Sequence, residues 1–191
     1  MMVGRKPTNG VSDERAEMFG FGKKKIKIKK LVDDLIVIMY KWRLDIHKKA
    51  KETGLSELRQ YPIELNAFVF SIGDMAVQIS DLTLEDKQKI SANLMVDWTK
   101  EIRGWRRVWW WHKTKITETL LTRSIDYRAV LEVGGNKTMA GEMVSMFFRL
   151  LDRSEDKHTE VALALMVCGC IGITEDITNY LNNISKTHRL G

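Results

Sequence analysis

Residues 62–79 read PIELNAFVFSIGDMAVQI, and the reading of this stretch decides the fold. Its middle, AFVFSI at 67–72, has strand propensity when taken alone. The wider pattern is helical. Leu65, Phe68, Val69, Ile72, Met75, Ala76 and Ile79 recur at steps of three and four, one face of a 3.6-residue period. Pro62 suits the first turn of such a helix, where its missing N–H costs nothing. Asp74 is expected to point away from the apolar face, as a solvated or ion-paired charge.

The same period runs outward in both directions. Upstream, Leu31, Leu35, Ile38, Met39, Trp42 and Ile46 form one stripe, and Gly54 stops it. Downstream, Thr83 with Asp86 resembles a capping box opening a stripe of Leu84, Ile90, Leu94, Trp98 and Ile102. Ile116, Leu120, Tyr127 and Leu131 follow, then Met139, Met143, Met146, Phe147, Leu150 and Leu151. The last segment, 159–185, is apolar nearly all round as far as Ile173 and one-sided after it. That pattern predicts a central helix whose second half lies at the surface. The expectation is an all-α fold: a single bundle-like domain of six to seven helices over 31–191, with a basic, poorly ordered N-terminal arm over 1–30.

Charge is segregated along the chain. The first thirty residues hold nine Lys and Arg against three acids, and the remaining 22 cations and 22 acids cancel, so the net +6 lies in the arm. Lys23, Lys24, Lys25, Lys27, Lys29 and Lys30 form its densest run, KKKIKIKK at 23–30. The run reads either as an edge strand guarded by lysines or as the basic start of the next helix. An arm of this kind contacts nucleic acid or an anionic membrane surface, or it is a solubilising terminus.

A second concentration is RGWRRVWWWHK at 103–113, with four of the chain's six tryptophans. Arg103, Arg106 and Arg107 are candidate polyanion contacts. Trp105, Trp109, Trp110 and Trp111 are candidate interaction residues, with Trp110 exposed and Trp109 buried on a helical reading. Arg and Trp together suit base stacking beside phosphates, a lipid headgroup interface or a protein–protein hot spot. They also suit plain core plugs with surface arginines around them.

Nothing marks catalytic chemistry. GGNKT at 134–138 lacks the upstream glycine and the Gly-Lys adjacency of a phosphate loop, and it suits a helix end followed by a new cap. Cys168 and Cys170 point about 200° apart on a helix and so cannot share a metal. They read as buried inert thiols. The four histidines are scattered. No cofactor, metal or small-molecule substrate is expected. With two cysteines and no apolar run long enough to cross a bilayer, a cytoplasmic location is the expectation. The sequence therefore points to a non-enzymatic interaction or assembly protein, self-associating or bound to a protein partner, with a basic arm on a polyanion. The alternatives are nucleic-acid binding through the arm and 103–113, and peripheral membrane association.

Overall fold

The computed structural model describes residues 23–57, 61–105, 111–133, 139–151 and 159–190. They form a short strand β1 (Lys24–Ile26), helix α1 (Ile28–Glu52), a 3-10 turn (Leu55–Glu57), helices α2 (Tyr61–Ile79), α3 (Leu84–Trp105), α4 (Trp111–Val133), α5 (Met139–Leu150) and α6 (Thr159–Thr187), and strand β2 (His188–Leu190). The fold is all-α, with six helices among the described residues. Residues 1–22 of the expected arm, the GGNKT stretch at 134–138, Arg106, Arg107, Trp109 and Trp110 lie outside the described residues.

The stretch that decides the fold is helical and central. Helix α2 packs against every other helix, and its residues 64–77 are all buried. Its strand-like middle supplies Phe68, Val69, Phe70 and Ile72, each at most 1% exposed. Phe68 meets Phe147 of α5 at 5.1 Å and Tyr127 of α4 edge-on at 5.9 Å. Burying a side chain of this size stabilises by about 2 kcal/mol.

This placement corrects the expectation for the last helix. Ala162, Met166, Cys170 and Ile173 of α6 are buried, but Ala164, Cys168 and Ile171 are exposed. Small and apolar residues all round a helix let it sit close to a neighbour without making it central. A Cβ at Gly172 would run into the Trp42 ring, and one at Gly169 would stand 2.9 Å from Ile46. The two glycines therefore set how closely α1 and α6 approach. Trp42 Nε1 donates to Asp176 at 2.7 Å, and Tyr180 donates to Asp34 at 2.7 Å, clamping the same pair.

Boundaries follow local chemistry. Gly54, with φ of 71°, ends α1 in a conformation open to glycine. The Asp86 amide donates to Thr83 Oγ1 at 3.2 Å, and that hydroxyl donates to the Asp86 carboxylate at 2.7 Å. The α3 cap is thus a compact version of the predicted box. Ile79 and Leu84, expected on buried stripes, are 52% and 69% exposed because each stands at a helix end beyond its neighbour's reach.

The carboxylates of α2 also depart from expectation. Asp74 is buried, 2% exposed, and pairs with Arg128 of α4. Glu64, also buried, accepts from Arg123 Nε at 2.8 Å, and Arg123 reaches Asp126 at 3.3 Å. Burial pushes Glu64 above the usual carboxylate range, although Arg123 pulls the other way. The two pairs advance together along both helices, so α2 and α4 run parallel.

The arm boundary moves as well. Residues 24–30 belong to the folded body: β1 pairs with β2, Ile26 is 8% exposed, and α1 begins at Ile28 rather than at Leu31. Both readings of KKKIKIKK hold in part, a strand first and then a helix start.

Candidate polyanion interface

The two ends of the described chain meet. Strands β1 and β2 are parallel, with Lys24 opposite His188, Lys25 opposite Arg189, and Ile26 opposite Leu190. Alternation along a strand sends Ile26 and Leu190 to one face, where both pack on the core. Lys25 and Arg189 share the other face and are exposed. Adjacent strands lie about 4.8 Å apart, so two like charges stand side by side, an arrangement that is unfavourable by itself.

More cations surround this pair. Lys24, Lys27 and Lys186 are exposed, and none of Lys24, Lys25, Lys27, Lys186 and Arg189 makes an ion pair among the described residues. Lys23 Nζ donates to the Ser185 carbonyl at 2.5 Å, closing the end of α6. Helix α1 then starts against the usual electrostatic rule. Lys27 is its N-cap with no side-chain cap bond, and its first turn contains no acid. Free amides, a positive dipole end and lysines all favour an incoming anion.

Not every predicted lysine joins the site. Lys29 Nζ is held by Asp33 at 2.7 Å and Asp97 at 2.9 Å, and these bonds raise its pKa. Lys30 lies 3.5 Å from Asp34. Both charges are spent within the body. Arg103 and Trp105 stand on the last turn of α3, and Trp111 opens α4. The residues that sequence reasoning missed are Lys186, His188 and Arg189. Their separation from the N-terminal lysines hid them, and only the parallel pairing brings the two ends together.

Other chemistry is sparse. Among the described residues no cluster of three or more His, Cys, Asp or Glu is placed to hold a metal ion, and no helix is long and apolar enough to cross a membrane. Cys170 is buried, which pushes its thiol up to about 12, whereas Cys168 is exposed, contrary to expectation. Comparison with family models, curated proteins and solved structures finds no match for this chain.

Proposed function

We propose that this protein is a non-enzymatic helical binding protein whose terminal ribbon holds the phosphate backbone of a nucleic acid. The observation that carries the reading is the exposed, side-by-side placement of Lys25 and Arg189, with no acid among the described residues paired to either. Departures from a local rule are expected at functional or strained positions. A phosphate between the two cations removes their repulsion and also meets the acid-free start of α1. The contacts are to backbone, so affinity is insensitive to sequence. Two free thiols fit a reducing, cytoplasmic setting.

A nucleic acid suits the site better than an anionic bilayer. Interfacial membrane binding sets apolar side chains among the cations. Here Ile26 and Leu190 turn inward, and the exposed apolar pair at the same end of the bundle, Ile79 and Leu84, lies among Asp81, Glu85 and Asp86. The Asp81 amide is not available to donate to a phosphate there, because it donates to Asn182 Oδ1 at 2.9 Å.

Fluorescence anisotropy of the full chain with a labelled single-stranded 20-mer, across a salt series, tests this reading. Five uncommitted cations predict a log–log salt slope of about −3.5. A flat response, or binding to anionic vesicles with none to the oligonucleotide, contradicts it.

A second reading, protein–protein assembly, is favoured by Leu121 and Ile125, one turn apart on α4 and 44% and 66% exposed. Light scattering of the wild-type chain and of Ile125→Glu tests it. A loss of oligomer mass in the variant supports assembly, and an unchanged monomer mass contradicts it.

A further inference from the structure

Four residues of α4 make an exposed seam. Glu118, Leu121, Ile125 and Arg128 follow one another at steps of three, four and three, the heptad spacing that keeps one line of a helix turned to a neighbouring helix. Leu121 and Ile125 are exposed, and the Arg128 side chain is more than half exposed. Glu118 is exposed and makes no ion pair among the described residues. The buried residues of the same helix, Leu120, Ser124 and Tyr127, form a different line. The seam is what α4 leaves uncovered after packing on α2 and α5.

The order of side chains along the seam points to its partner. Leu121 and Ile125 lie two residues either side of position 123, and Glu118 and Arg128 lie five residues either side of it. A second α4 laid antiparallel across that midpoint sets Leu121 against Ile125 twice and Glu118 against Arg128 twice. Laid parallel, it sets Glu118 against Glu118 and Arg128 against Arg128, and like charges so juxtaposed are unfavourable. A line that complements itself on reversal meets the requirement of a two-fold contact, in which residue i touches j and j touches i. Arg123, at the midpoint, is paired with Glu64 and Asp126, so its charge is compensated where two copies meet. Arg128 can serve two carboxylates. Its Nε and Nη2 donate to Asp74, which fixes the guanidinium plane, and its Nη1 makes no hydrogen bond among the described residues. Thr122 and Ala129 beside the seam are exposed and short, so they do not hold a second helix away.

We propose that the partner at this seam is a second copy of the same chain, with the two α4 helices antiparallel, Leu121 packed on Ile125 and a Glu118–Arg128 ion pair at each end. This pairing rests on the assembly reading of Leu121 and Ile125 and adds to it the partner and the direction. The seam spans about 15 Å of helix. So short a contact belongs to the small, reversible class of interfaces.

Sedimentation equilibrium of the full chain between about 10 µM and about 1 mM should show a monomer–dimer equilibrium. Glu118→Lys makes both end pairs repulsive and should raise the dissociation constant about five- to tenfold. Glu175→Lys, the same charge change at an exposed position of α6, should leave it within about twofold. Direction is read by oxidising an equal mixture of Leu121→Cys and Ile125→Cys chains, each also carrying Cys168→Ser to remove the exposed native thiol. The mixed disulfide should form well above its random share. A chain that stays monomeric at every concentration overturns the assembly reading and this pairing with it. A dimer in which Glu118→Lys and Glu175→Lys behave alike, or in which the two like disulfides dominate, overturns the pairing alone.

Discussion

Lys25 and Arg189, one from each end of the described chain, stand directly opposite each other in a parallel two-stranded ribbon. Nothing local demands this. The ribbon is three residues long on each side, and its inward pair, Ile26 and Leu190, would pack equally well with neutral outward partners. The repulsion between the outward pair is therefore a cost that packing does not explain, and on the proposed reading a bound phosphate would remove it.

The approach of α1 to α6 depends on the absence of a Cβ at Gly172. Gly172→Ala forces the methyl onto the Trp42 ring, so we expect a loss of about 1–3 kcal/mol in chemical denaturation, with the Trp42–Asp176 hydrogen bond disturbed. Gly141 on α5 is the control. Nothing lies within 4 Å of an added Cβ there, and Gly141→Ala should stabilise by up to about 1 kcal/mol. Equal effects at the two glycines would refute the close approach.

The buried carboxylate of Glu64 gives the protein a pH signature. Its folded-state pKa lies above the ordinary value of 4.5, chiefly through burial. Its contribution is thus fully present below 4.5 and is lost as pH rises through the folded value. The stability of the wild type relative to Glu64→Gln should decline as pH rises above the ordinary value of 4.5. Urea denaturation at several pH values reads this difference, and a rise over that range would contradict it.

The two thiols should separate by reactivity. Cys168 faces solvent, while Cys170 is buried with its thiol pushed up to about 12. Under native conditions Ellman's reagent should titrate one thiol quickly and the second only on unfolding, and Cys168→Ser should remove the fast phase. Two fast thiols in the native chain would place Cys170 at the surface.

Much of the fold was legible because the helices follow one periodicity. The stripes of α1, α2 and α5 put Leu31, Leu35, Met39, Phe68, Ile72, Met143 and Phe147 in the core, as read. The glycine stop at Gly54 and the cap at Thr83 were legible for local reasons. What escaped is tertiary. Which helix is central depends on neighbours, and an apolar α6 with glycines at 169 and 172 resembles a buried helix while it is a closely docked one. The sequence points Asp74 outward because a buried carboxylate needs a partner, and Arg128, which supplies it, lies on another helix. The ribbon was half legible: KKKIKIKK announced a strand or a helix start, but no sequence rule joins it to His188–Leu190.

The most direct measurement is the salt dependence of oligonucleotide affinity for Lys25→Gln/Arg189→Gln beside the wild type. Both residues are exposed, so the variant should retain its circular dichroism and melting temperature. If the ribbon is the phosphate site, the double variant binds more weakly and its log–log salt slope is shallower by about 1.5. An unchanged slope and affinity in a folded double variant would contradict the account.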